Sequence, residues 1–157
     1  MTGLIANLLL ALAWMLLQGR LAARDFLAGY IGGFILLYFW RRSFPDTGYF
    51  DRVRGIVVYL LVFLRELVLA NLQVAKVVLS PRPNLQPGII AVPLEVQSDW
   101  GITLLADTST LTPGTLTVEI SPDKRTLYVH AMQVNHPEEL RRQIKQVLER
   151  AVLGVTR

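Results

Sequence analysis

Residues 54–79 read RGIVVYLLVFLRELVLANLQVAKVVL, a run apolar enough for a bilayer but marked with charge at regular intervals. From Gly55 to Leu79 a helix rising 1.5 Å per residue reaches about 37 Å, enough to span a hydrocarbon core of about 30 Å with tilt. Arg54, Arg65 and Lys76 recur every eleven residues, about three helical turns, and so form one stripe, with Glu66 and Gln73 about a quarter-turn round it. A helix built this way faces protein or water along the stripe, or lies partly in the interface with its basic side chains snorkelling to the headgroups. It does not read as a span surrounded by lipid alone. Charges inside an apolar segment mark functional candidates, and Arg65 and Glu66 are the pair to consider for an ion or proton path. The simpler reading is that the pair docks against a partner or reaches the headgroups. It is favoured because Glu66 has no second acid within the apolar runs to relay a proton.

Two shorter apolar runs precede this one. Leu4 to Leu17 is interrupted only by Asn7, and Phe26 to Trp40 holds no ionisable group apart from Tyr30 and Tyr38. As helices each is about 21 to 22 Å long, short of the hydrocarbon core. Gln18, Gly19, Arg20, Arg24 and Asp25 form a polar connection, so the pair reads as a tight helical hairpin. Gly29, Gly32 and Gly33 either admit a closely packed neighbour or reflect the high glycine content of membrane helices. Tyr38, Phe39 and Trp40, followed by Arg41 and Arg42, form an aromatic belt and a basic anchor. Met1-Thr2-Gly3 lacks a basic side chain and a second apolar run follows almost at once, so residues 1–40 are expected to be mature sequence rather than a signal peptide.

Composition agrees with a membrane-embedded half. The chain has 157 residues, 52% of them hydrophobic, and a mean hydropathy of +0.41, high for a domain that must keep a charged surface. Residues 1–79 carry eight Lys/Arg against four Asp/Glu, and residues 80–157 carry eight of each, so the whole net charge of +4 lies in the apolar half. Basic excess that flanks apolar segments points to a bilayer surface, not to nucleic acid. With no Cys there is no disulfide framework, thiolate metal site or cysteine nucleophile. The stretch from Arg41 to Arg54 carries four Arg and is expected to be cytoplasmic. A full crossing by the third segment would then put the C-terminal domain outside; a cytoplasmic domain requires a third segment that does not fully cross, or a violated charge rule.

Residues 80–88, with three Pro and one Gly, read as a linker. About 70 residues remain, few for an independent core. Ile89 to Val96 reads as a strand, with Pro93 demoting it to an edge or bulged position. Ser98 is a helix N-cap for a segment running to about Ser109. Thr115 to Ile120 and Thr126 to Met132 alternate as two strands joined by Ser121-Pro122-Asp123-Lys124, with Leu116, Val118 and Ile120 expected on one buried face. Pro137, the acids Glu138 and Glu139, the stripe Leu140, Ile144, Val147, Leu148 and Ala151, and a terminal Gly154 signal an amphipathic helix. The order is β-α-β-β-α, with both helices on one face of a small sheet.

Site chemistry is sparse. His130 falls on the polar face of a strand and His136 at a helix start, without a third ligand at metal spacing, so surface or capping roles are favoured. Asp107, Ser109 and His130 form a triad in name only, since no nucleophile elbow accompanies them. The glycines form no phosphate loop. The face Arg141, Arg142 and Lys145 is read as solvated in preference to resting on anionic headgroups. No catalytic residue, cofactor or metal is expected.

The stretch Asp107-Thr108-Ser109-Thr110-Leu111-Thr112-Pro113-Gly114-Thr115-Leu116-Thr117-Val118, followed by a polar turn and Thr126-Leu127-Tyr128-Val129-His130, carries a family resemblance. It resembles the E subunit of Mrp-type multisubunit cation/proton antiporters, also called Mnh or Pha, and the similarity extends over the chain, including the region from Phe44 to Phe50. The residues read as an α/β membrane protein, with membrane helices at about 4–18, 25–40 and 54–79 within a domain 1–79, a linker 80–88 and an α/β domain 89–157, which the resemblance implies is cytoplasmic. The resemblance also implies a non-catalytic structural or assembly component of a hetero-oligomeric complex exporting Na+ against H+ entry. The place implied is the plasma membrane, multi-pass or partly re-entrant, with other subunits and lipids as partners. Thr112-Pro113-Gly114-Thr115 reads physically as a helix-stop and strand-start turn, with partner contact second to that. Candidate partner or membrane contacts are Arg41, Arg42, Arg65, Glu66, Lys76, Thr112, Pro113, Gly114 and Thr115. The alternative is a membrane-anchored adaptor whose C-terminal domain binds a soluble partner independently of transport.

Overall fold

The computed structural model describes residues 2–40, 48–81 and 85–156. The chain divides into two compact units, Met1–Arg54 and Gly55–Arg157.

In the first unit, α1 (Thr2–Leu17) and α2 (Ala23–Phe39) pack side by side as a hairpin. Gly19, at φ +64°, takes the left-handed conformation that lets the chain leave α1. At about 24 and 26 Å the helices are a little longer than their apolar runs but still shorter than a typical hydrocarbon core. Two of the three glycines on α2 are packing sites: a Cβ on Gly29 would lie 2.8 Å from Trp14 Cβ, and one on Gly33 would lie 2.4 Å from Asn7 Oδ1. Gly32 faces open space. The first turn of α3 (Gly48–Val78) closes this unit. Tyr49 accepts a 2.9 Å hydrogen bond from Asn7 Nδ2 and shares another of 2.9 Å with Tyr30, while Phe34 meets both Tyr49 and Phe50 edge-on. Buried Asn7 therefore has a polar partner for its amide nitrogen.

The second unit contains the rest of α3, then β1 (Gly88–Pro93), α4 (Asp99–Leu111), β2 (Thr115–Ile120) and β3 (Thr126–Ala131). A continuous C-terminal helix follows, made of α5 (Pro137–Gln143), a π-helical stretch (Ile144–Glu149) and α6 (Arg150–Thr156). The strands form an antiparallel sheet in the order β1-β3-β2, so β3 inserts between two strands that α4 connects. Ser98 caps α4 by accepting from Gly101 N at 3.2 Å. Pro93 ends an edge strand, where its missing N–H costs no ladder bond. Ile90, Val92, Leu127 and Val129 from the sheet meet Ile102 and Leu105 of α4 and Ile144, Leu148 and Val152 of the C-terminal helix in one core.

Two expectations for this unit are corrected. Leu116 and Val118 are not on the buried face; they are 50% and 51% exposed. A bulge between Thr117 and Glu119 shifts the register, so Ile120 packs on the core while Thr115 and Thr117 turn their hydroxyls to the α4 carbonyls of Ser109 and Ala106. Nor does Gly154 end the last helix, which continues to Thr156. It lies where α3 approaches, and a Cβ on Gly55 would fall 2.1 Å from the Gly154 carbonyl oxygen.

Candidate partner-binding surface

Beyond Arg54, α3 runs along its own αβ unit. Gly55 meets Gly154, the Tyr59 hydroxyl lies 2.7 Å from Thr108 Oγ1, and Gln143 Nε2 donates to Glu66 Oε2 at 2.7 Å. Glu66 is buried, and Arg65, largely exposed, donates to its other oxygen. The two residues weighed for an ion path thus form a local ion pair fastened to α5.

Lys76 and the segment from Thr112 to Thr115 come together on one cleft of about 300 Å³, which also exposes Gln73 and Gln143. The turn is built as the sequence suggests. Thr112 caps α4 and returns its hydroxyl to the Thr108 carbonyl at 2.8 Å, Gly114 adopts φ +92°, and Thr115 opens β2. Thr115 Oγ1 spans from the Ser109 carbonyl at 2.7 Å to that of Thr112 at 2.9 Å, which stiffens the corner. A Cβ on Gly114 would lie 3.7 Å from Val74, so the corner faces α3 across the cleft with room for one more carbon. Arg41, Arg42 and Phe44 lie outside the described residues.

The face Arg141, Arg142 and Lys145 does more than meet solvent. Arg141 Nε donates to the Ala91 carbonyl and Lys145 Nζ to that of Pro93, each at 2.9 Å. These are carbonyls of edge strand β1, so the C-terminal helix shields an edge that would otherwise be open to pairing. Lys145 also bridges Glu95 at 2.9 Å and Glu149 at 3.4 Å. Burial draws the Lys145 pKa down, but the hydrogen bond to Glu95 and the charges of Glu149 and Glu95 outweigh it and leave it above the ordinary 10.5.

Glu149 is a residue that sequence reading missed. It is buried at 1% exposure and accepts from Glu95 N at 2.6 Å and Val96 N at 3.0 Å, taking the two amides that leave the end of β1. It sits in the π-helical stretch, whose wider turn alters where side chains of the C-terminal helix point.

His130 and Ser109 are kept apart by the sheet. Leu127, Val129 and Ala131 of β3 are buried toward the helices, so alternation puts His130 on the opposite face from α4. His136 stands before α5 without a side-chain cap bond. Among the described residues no group of three or more His, Cys, Asp or Glu is placed to hold a metal ion.

Comparison with known proteins adds the family. Residues 7–155 match the Na+/H+ ion antiporter subunit family, MNHE. The chain is 42% identical over 154 residues to the E subunit of the Na(+)/H(+) antiporter of Alkalihalophilus pseudofirmus, covering 98% of each chain. It is 41% identical to that of Bacillus subtilis, again over 98% of each. Among solved structures it is similar to a chain of the Mrp complex from Dietzia sp., with 28% identity and a TM-score of 0.50 over 65% of this chain and 96% of that one. It is also similar to a chain of the membrane-bound sulfane sulfur reductase, an archaeal respiratory membrane complex, with 28% identity and a TM-score of 0.51 over 85% and 84%. With a family match over nearly its whole length, the chain belongs to the Na+/H+ ion antiporter subunit family.

Proposed function

We propose that the chain is the E subunit of a multisubunit Mrp-type Na+/H+ antiporter and serves it as a non-catalytic structural and assembly component. The observation that carries this reading is the full-length similarity to antiporter E subunits, joined by similarity to a chain within an Mrp complex. The geometry supports the non-catalytic part. Arg65 and Glu66 neutralise each other, and Gln143 takes the carboxylate oxygen that Arg65 leaves. Transport by the complex is read as Na+ export coupled to H+ entry, carried by other subunits. The protein resides in the cell membrane with its αβ unit on the cytoplasmic side, the side on which the Arg residues at 41, 42, 52 and 54 place the preceding stretch, which requires that α3 does not fully cross. The Thr112–Thr115 corner is offered as a contact for neighbouring subunits, and Arg41, Arg42 and Lys76 as headgroup contacts.

Co-purification tests the assignment. A tagged copy should bring down large polytopic membrane subunits, and cells lacking the chain should lose sodium and alkali tolerance. Failure of both sinks the reading. A second reading, an adaptor for a soluble partner, draws support from the outer sheet face, where Ile89, Leu116 and Val118 are 61%, 50% and 51% exposed. A Val118→Asp variant separates the two: the adaptor loses its partner while transport continues.

A further inference from the structure

The side of α3 that holds the αβ unit and the side that does not are segregated along the helix. At about 100° per residue from Gly55, the residues Tyr59, Glu66, Ala70, Gln73 and Val77 fall within a sector of about 60°. This sector faces Gly154, Thr108, Gln143 and the cleft beside the Thr112–Thr115 corner. The opposite sector holds Val57, Leu61, Leu64, Val68 and Leu72, which are 49%, 64%, 53%, 58% and 55% exposed. Arg54, Arg65 and Lys76 run along one margin between the two sectors, all exposed. Asn71 borders the apolar sector and satisfies its own amide, donating to the Leu67 carbonyl at 2.7 Å.

The docked side extends from Gly55 to Val77, about 33 Å along the axis, as long as a hydrocarbon core is thick. By length and composition α3 qualifies as a membrane span. Crossing while docked would nevertheless carry the αβ unit into the hydrocarbon along the whole helix. Asn135, His136 and Glu139 line a cleft with Gln73 and Lys76, and such groups are strongly unfavourable at membrane depth.

We propose that α3 beyond Arg54 lies in the plane of the membrane as an interfacial helix. Its Val57, Leu61, Leu64, Val68 and Leu72 face enters the boundary between headgroups and acyl chains, and Arg65 and Lys76 reach lipid phosphates. The αβ unit rides on the aqueous side of the same helix. Three basic groups spaced about three turns apart along the apolar margin, Arg54, Arg65 and Lys76, match an anionic headgroup layer. This orientation also reconciles the two topology signals, since a helix that does not cross leaves the αβ unit on the side of the Arg41–Arg54 stretch.

The inference rests on the membrane residence contained in the antiporter reading, and its test is independent of transport. Single cysteines at Val57, Leu61, Leu64, Val68 and Leu72, introduced into a chain that has no Cys, carry spin labels in the full protein within membrane vesicles. Depth is read from the ratio of oxygen to nickel-chelate accessibility. The five labels should report one shallow depth, about 5–10 Å below the headgroups. A profile in which Val57 and Leu72 differ by about 22 Å, the rise between them, means a crossing and overturns the proposal. Labels shielded from oxygen mean that another protein covers the face, and that also overturns it. Co-purification of polytopic subunits, scored on the same samples, reports separately on the antiporter assignment.

Discussion

Gln143 on α5 donates a 2.7 Å hydrogen bond to the carboxylate of Glu66 on α3, 77 residues away in sequence. It holds there a carboxylate that is only 3% exposed. A buried acid in an apolar helix is ordinarily suspected of moving ions, but this one is supplied with an ion-pair partner and a neutral donor from its own chain. Its role is to clamp α3 to the αβ unit.

Glu66→Ala should therefore act on stability. It strands the Gln143 amide in a part-buried site at a cost of about 1–3 kcal/mol, read as faster hydrogen exchange at the α3 and α5 amides. Glu66→Gln keeps an acceptor for Gln143 and should assemble with cation exchange per complex close to wild type. A Gln variant that assembles but loses exchange by about tenfold, some 1.4 kcal/mol of barrier, would place Glu66 on an ion path and defeat the clamp.

The α2 glycines make a graded test of the hairpin. A Cβ at Gly29 or Gly33 runs into Trp14 Cβ at 2.8 Å or Asn7 Oδ1 at 2.4 Å, whereas Gly32 has open space. Gly33→Ala and Gly29→Ala should each lower stability by about 1–3 kcal/mol through overpacking. Gly32→Ala should be neutral or slightly stabilising, because alanine is the better helix former. Thermal melts of the three variants in detergent check the order, and an equal response from all three would mean that the glycines are compositional.

Glu149 should be the most sensitive acid in the αβ unit. Glu149→Ala leaves the amides of Glu95 and Val96, now bonded at 2.6 and 3.0 Å, without acceptors. The lost partner of the buried Val96 N–H costs about 1–3 kcal/mol, and that of the part-buried Glu95 N–H less. Hydrogen exchange should rise first at Glu95 and Val96 and then across β1. Exchange confined to the C-terminal helix would contradict the role.

Much of the αβ unit is legible in the chain because its signals are local. Ser98 bonds within one turn, Pro93 marks an edge strand, and Thr112-Pro113-Gly114-Thr115 stops a helix and starts a strand within four residues. What escaped depends on distance. Alternation along β2 predicts a buried Leu116 and Val118, but the bulge at Thr117/Glu119 resets the faces, and a one-residue slip inverts every side chain in a strand. Gly154 carries a stop signal that the helix overrides, and its carbonyl instead meets Gly55. The eleven-residue spacing of Arg54, Arg65 and Lys76 does reveal a two-sided helix. Periodicity alone cannot say that the partner on its polar side is the chain's own C-terminal unit.

Alkaline pH should loosen the tie between the C-terminal helix and β1. The Lys145 ammonium has its pKa raised by Glu95 and Glu149 against the opposing effect of burial, so the folded state holds this proton more tightly than the unfolded chain. The stabilisation is fully present below the unfolded lysine value, about 10.4, and is lost as pH rises through the higher folded value. The αβ unit should keep constant stability through neutral and mildly alkaline conditions and weaken only beyond that range. Lys145→Met should remove this alkaline limb and lower stability at every pH below it, since the Pro93 carbonyl and the two carboxylates lose their donor. Urea unfolding of wild type and variant between neutral pH and about pH 11, just past the lysine range, checks it. Parallel curves with the same alkaline fall would show that Lys145 is not the group responsible.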